Sequence, residues 1–65
     1  MLNEYDCVRL RRALPNAEVP VGYKGVILMV YKEPKPGYEV EFFDALGKSL
    51  KNFSVEEDYV EKWQE

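Results

Sequence analysis

Residues 37–44 read Gly-Tyr-Glu-Val-Glu-Phe-Phe-Asp and decide the fold. Their apolar side chains fall at alternate positions and so share one face of an extended strand: Tyr38, Val40 and Phe42. The two carboxylates between them share the other face: Glu39 and Glu41. Because apolar side chains favour burial and carboxylates favour water, the pattern predicts a β-strand with its glutamates outside.

A tight turn is predicted directly after this strand, at residues 44–47, Asp-Ala-Leu-Gly. Aspartate at the first position can bond to the backbone of its own turn, and Gly47 can adopt the positive φ that forms a bulge. A return strand is predicted from about Lys48 to Val55, with three core candidates: Leu50, Phe53 and Val55. Their uneven spacing indicates a β-bulge near residues 51–52, and the two strands predict a β-hairpin.

Two more strands are predicted before the hairpin. Residues 5–11 alternate with period two, and Val8 and Leu10 are their predicted core pair. A loop with two prolines follows at residues 12–23. Residues 25–31 are apolar on both faces, whereas a strand with one solvated face would alternate. This second strand is therefore predicted to be central, bulged, or covered on its second face.

Two interpretations compete for residues 54–65. Ser54 and Glu57 have the spacing of a capping box, which predicts a helix whose apolar face includes Tyr59 and Trp63. The alternative is a short 3₁₀ turn at residues 56–58, followed by a fifth strand that ends near Trp63.

Four stretches carry a family resemblance that covers nearly the whole chain: Val8-Arg-Leu, residues 25–31, residues 37–44 with Gly47 after them, and Val55-Glu-Glu-Asp. In these stretches the chain resembles a family of small bacterial proteins of unknown function. The resemblance implies an all-β fold, a small SH3-like barrel of about five antiparallel strands in which a short 3₁₀ turn precedes the last strand. It favours the turn-plus-strand interpretation of the tail, and it implies no catalytic residue.

Length and composition exclude several functions. Sixty-five residues predict one domain over 1–65, and 46% apolar residues are typical of an ordered chain. One cysteine and no histidine exclude an intrachain disulfide and a zinc site. We therefore predict no catalytic residue, no cofactor and no metal.

The sequence shows no signal peptide and no apolar run near the roughly 20 residues of a membrane span, so we expect a cytoplasmic protein without membrane contact.

The first functional hypothesis is a non-enzymatic protein-interaction module. It follows from the second strand, which is apolar on both faces in a chain too short to cover both. The predicted interaction residues are Ile27, Met29, Tyr31, Phe43 and Trp63. The expected partner is a second copy of the chain, in a homo-oligomer, or the product of a neighbouring gene. An accessory, antitoxin-like or assembly role fits this class.

The second functional hypothesis is RNA or DNA binding through a basic patch. The patch consists of Arg9, Arg11, Arg12 and Lys24. The charge of the chain opposes this hypothesis, because the net charge is −3 and residues 37–65 carry eight acidic and three basic side chains. Nucleic-acid binding usually needs a clustered positive surface.

Overall fold

The computed structural model describes residues 2–15 and 19–63. In these ranges the chain forms five β-strands, numbered here in chain order: β1 (Cys7–Leu10), β2 (Lys24–Tyr31), β3 (Gly37–Phe43), β4 (Ser49–Glu56) and β5 (Val60–Lys62). A 3₁₀ turn, Glu57–Tyr59, connects β4 to β5. None of the described residues lies in an α-helix, so these ranges contain no helix long and apolar enough to cross a membrane.

The five strands form one antiparallel sheet in the order β4-β3-β2-β1-β5. Strand β2 pairs with β3 along most of its length and with β1 near its own start, where Cys7 lies opposite Val26. On its other side β1 pairs with β5, and Arg9 lies opposite Glu61. The chain thus folds as the small SH3-like barrel of five antiparallel strands that the sequence predicts.

The core is formed by the inward side chains of this sheet. All five strands contribute buried residues, and the loop after β1 adds two more: Val8, Leu10, Leu14, Val19, Ile27, Tyr38, Val40, Phe42, Val55 and Val60. No helix of the described residues covers the apolar face, and the buried side chains of the five strands pack against one another in one cluster. Burial, and secondarily the negative charge of Glu57, raises the pKa of the Tyr38 phenol, which favours its neutral form in the core.

A β-bulge in β2 corrects the predicted orientation of Ile27. Ile27 lies opposite Val40, and both side chains are 0% exposed. The next pair joins Met29 to Glu39, so β2 has an extra residue at this point. Past the bulge Met29 faces outward and is 50% exposed. The prediction that Ile27 belongs to an interaction surface is wrong, because the bulge shifts the phase of the alternation and leaves Ile27 in the core.

A second bulge lies in β4, close to the predicted position. Glu41 lies opposite Asn52 and Phe43 opposite Ser49, so β4 has one more residue than β3 between these pairs. Leu50 falls in the bulge and is 37% exposed, so its predicted place in the core is wrong. The other two core candidates of this strand turn inward: Val55 is buried and Phe53 packs against the core.

The turn between β3 and β4 has the predicted chemistry. Asp44 Oδ1 accepts hydrogen bonds from the backbone N–H groups of Leu46 and Lys48, each at 2.9 Å. The N–H of Gly47 donates to the Asp44 carbonyl, and Gly47 has φ +83°. One carboxylate therefore organises both ends of the turn, which fixes the tip of the hairpin.

The tail follows the turn-plus-strand prediction, as far as the described residues extend. Ser54 lies within β4, where its hydroxyl donates to Glu39 Oε1 at 2.7 Å, so it is not a helix cap. The backbone N–H of Trp63 donates to the Cys7 carbonyl at 2.9 Å and extends the β1–β5 pairing by one residue. Trp63 is thereby held beside Cys7 on the outer side of the sheet.

Candidate functional site

The outer surface of β1, β2 and β5 is built by alternation from the buried pair Val8 and Leu10. Because these two side chains point inward, Cys7 and Arg9 point outward. Their partners in β2, Val26 and Lys24, share this outer surface, since directly opposite residues in antiparallel strands face the same way. The sequence therefore places a thiol, an aliphatic side chain and a cation beside Trp63.

A shallow groove of about 540 Å³ lies on this surface, and residues of the β3–β4 turn line part of it. We call it the outer groove, and it is lined by Cys7, Gly22, Tyr23, Lys24, Val26, Phe43, Asp44, Ala45, Gly47 and Trp63. The lining is mainly apolar, with three aromatic rings. Apolar concave surfaces with a few charged side chains are the usual form of a binding site.

The charged side chains of the outer groove are Lys24 and Asp44. The Lys24 ammonium lies 5.4 Å from the centroid of the Trp63 ring. This cation–π contact holds a positive charge at the edge of an aromatic surface. The Asp44 carboxylate already accepts two backbone hydrogen bonds in the turn, so its position is fixed.

The structure brings together two of the five predicted interaction residues. Phe43 and Trp63 line the outer groove from elements 20 positions apart in the chain. Met29 is exposed elsewhere, beside Leu2 and Lys32. Tyr31 lines a separate pocket, and Ile27 lies in the core.

Two groove residues were not predicted as such. Val26 was missed, and Lys24 was assigned to the basic patch. The groove is formed by neighbouring strands, and alternation within one strand does not show which strands are neighbours.

Tyr31 belongs to a second pocket of about 530 Å³, next to residues 33–37. Its hydroxyl lies 3.3 Å from Glu39 Oε1, the same oxygen that the Ser54 hydroxyl donates to. The neighbouring Glu41 accepts from the Ser49 hydroxyl at 2.6 Å. The two glutamates are thus bonded to hydroxyls of adjacent strands.

Across residues 2–15 and 19–63 no group of three or more histidine, cysteine, aspartate or glutamate side chains converges in a way that could hold a metal ion.

Ion pairs engage two of the four residues of the predicted basic patch. Arg9 pairs with Glu61 on β5, with its Nε 2.9 Å from Glu61 Oε2. Arg12 pairs with Asp58 and also lies over the Tyr59 ring, 4.9 Å from its centroid. These exposed pairs contribute little to stability, but each places a negative charge within the patch. The positive field that a nucleic acid would meet is therefore weaker than the sequence suggests.

Replacing Arg9 with glutamine is expected to raise the pKa of the Glu61 carboxyl towards its ordinary value. The side-chain hydrogen bond from Arg9 is the main reason that this pKa lies below its ordinary value. A lowered pKa in the folded state means that the pair's contribution to stability is present above the unfolded pKa and is lost as the pH falls through the folded pKa. A carboxyl-carbon NMR titration measures the shift. Arg12→Gln is the control, and an equal change in both variants would contradict the assignment.

Comparison with known proteins identifies a family and no characterised relative. No curated protein and no solved structure shows a significant match to the chain. A family model, described as a domain of unknown function (DUF4926), matches residues 4–62. That range contains all five strands and every residue that lines the outer groove except Trp63. Because the match extends over most of the sequence, the chain belongs to the DUF4926 family.

Proposed function

We propose that this chain is a non-enzymatic protein-interaction module of the bacterial cytoplasm, and that its binding surface is the outer groove. The observation that supports this role is the meeting of Phe43, Trp63 and Val26 in one concave, mainly apolar surface. Aromatic side chains at the centre of such a surface supply most of the binding energy in protein interfaces. The expected ligand is an apolar side chain presented by a protein segment.

The surroundings of the outer groove support binding to a protein. Lys24 stands at its edge, and Arg9 and Glu61 lie on the same surface. An apolar centre with charged residues around it is the common arrangement of a protein interface. A chain of this size also buries a modest fraction of its surface on folding, so a partner that covers the groove adds to its stability.

A binding role is simpler than catalysis at Cys7. A thiol nucleophile needs a base or another group that favours the thiolate, and the chain has no histidine. Cys7 is half-buried in β1, where it acts as a small apolar side chain between Val26 and Trp63. We therefore assign Cys7 to the wall of the groove.

Nucleic-acid binding is the alternative function. The ion pairs of Arg9 and Arg12 argue against it, because each reduces the positive charge that a nucleic acid would meet. A direct comparison uses a fluorescent single-stranded RNA at low salt. Binding that falls steeply with added salt and is lost in Arg11→Glu would favour the alternative over the protein-interaction role.

A photoreactive phenylalanine analogue at position 43 is expected to cross-link a protein in lysate of the cells that make this chain. The same analogue at position 29 is the matched control, because Met29 is exposed outside the groove. The cross-linked protein is then purified, and Trp63→Ala is expected to weaken its binding about 30-fold, as loss of a central aromatic anchor does. Met29→Lys is expected to leave the affinity unchanged. Equal cross-linking at both positions, or none at 43, would reject the outer groove as the binding surface.

A further inference from the structure

Leu46 is an apolar side chain held in water at the tip of the β3–β4 hairpin. It is 94% exposed, the largest value among the exposed large apolar residues described. A single exposed leucine is ordinary on a protein surface. Leu46 differs because its turn is fixed by Asp44, whose carboxylate accepts a hydrogen bond from the Leu46 N–H itself. A rigid turn holds the backbone that carries this side chain in one position, which lowers the entropic cost of inserting the side chain into a pocket.

The outer groove lies directly beside this tip. Asp44, Ala45 and Gly47 line the groove, so the residues on both sides of Leu46 form one of its walls. Leu46 itself does not line the groove. A protruding leucine and an apolar groove are therefore neighbours on one surface, which is the arrangement that a two-fold dimer requires, because each copy then supplies both the inserted group and its receptor.

Two opposite charges lie beside the hairpin tip, and each copy of the chain carries both of them. Lys24 lies at the edge of the groove, and Asp44 lies two residues before Leu46. Insertion of Leu46 into a neighbouring groove carries Asp44 of that copy towards Lys24 of the other, and the two-fold axis repeats the pair. We propose that the occupant of the outer groove is Leu46 of a second copy, in a two-fold dimer in which each tip enters the other's groove.

This inference rests on the proposed function and names its partner. The dimer covers two leucines and two mainly apolar grooves, and small domains often gain their missing burial by oligomerisation. The contact consists of one inserted side chain in each direction, so the dimer is expected to be weak and dependent on concentration. Charge pairing at the edge of the contact makes its formation depend on salt.

Sedimentation equilibrium over a range of protein concentrations tests the dimer. The unmodified chain is expected to shift from monomer to dimer, and Leu46→Lys is expected to raise the dissociation constant about 100-fold, because two symmetric leucines are lost at roughly 10-fold each. Leu46 makes few contacts in its own copy, so this variant keeps its fold, which circular dichroism verifies. Met29→Lys is the control for loss of an exposed apolar side chain elsewhere and is expected to dimerise normally.

Isotope-filtered NMR on a mixture of labelled and unlabelled chains locates the contact. Intermolecular contacts are expected between the Leu46 methyl groups and the rings of Trp63 and Phe43. A strict monomer at millimolar concentration overturns the inference, and so does a dimer that Leu46→Lys leaves intact. In either case, cross-linking of a different protein at position 43 would still support the proposed function, so the two failures are distinguishable.

Discussion

Replacing Phe42 with alanine is expected to lower the free energy of unfolding by about 3–5 kcal/mol. Phe42 is the largest fully buried side chain, 0% exposed, and its ring lies 6.1 Å from that of Phe53. Removing it leaves a cavity at the centre of the core. A domain of this length has a total stability of about 3–10 kcal/mol, so the loss is a large fraction of the whole.

Phe43→Ala is the matched control for this prediction. Phe43 is the next residue in β3, but it faces the outer groove and is half-buried. Its loss is expected to cost about 1 kcal/mol or less, because much of its ring is already in contact with water. Urea denaturation followed by circular dichroism measures both variants. Similar losses at positions 42 and 43 would contradict the assigned faces of β3.

Gly37→Ala is expected to have the second-largest effect, a loss of about 2–3 kcal/mol, in the upper part of the range for overpacking. A Cβ atom at this position would lie 2.6 Å from the Val55 carbonyl oxygen. The neighbour is backbone of β4, so it cannot move away by rotating a side chain. The variant must separate the start of β3 from the end of β4, where Tyr38 pairs with Val55. Thermal unfolding and amide hydrogen exchange in these strands measure the change.

Gly47→Ala separates this packing effect from backbone strain. Nothing lies within 4 Å of a Cβ atom at Gly47, but its φ is +83°. An alanine there is expected to cost about 1 kcal/mol through the left-handed conformation alone. If Gly37→Ala costs no more than Gly47→Ala, the close approach of β3 and β4 at Gly37 is not as described.

The hairpin could be predicted from sequence because its signals are local. Alternation in residues 38–42 fixes which face of β3 is buried, and the Asp44 and Gly47 pair fixes the turn. Both signals lie within a few residues of the structure they determine. For the same reason the uneven spacing in β4 was sufficient to predict its bulge.

The position of Ile27 could not be predicted, because residues 25–31 of β2 are all apolar or glycine and the sequence does not show which of them point inward. The extra residue of its bulge is recognisable once β3 supplies the register, with Val40 opposite Ile27 and Glu39 opposite Met29. Leu50 was misplaced for a related reason: a bulge can be predicted from spacing, but which residue it exposes depends on the partner strand.

The candidate site could be predicted only in part, because its residues come from strands that are distant in sequence. Phe43 and Trp63 are recognisable as aromatic residues outside the predicted core, but their meeting depends on pairing between β1 and β5. The ion pairs within the predicted basic patch could not be predicted from sequence. Arg9 and Arg12 are close to each other in sequence, whereas the carboxylates that pair with them, Glu61 and Asp58, lie 52 and 46 residues further along the chain.

The hydrogen bond between Trp63 and Cys7 connects the order of folding to ligand binding in the outer groove. These residues are separated by most of the chain, and closing so long a loop carries an entropic cost that favours late formation of the β1–β5 pairing. Until β5 docks, the wall that Trp63 supplies is missing and the outer groove is incomplete. Any occupant of the groove therefore selects the fully closed chain and, by mass action, protects its last strand from fraying.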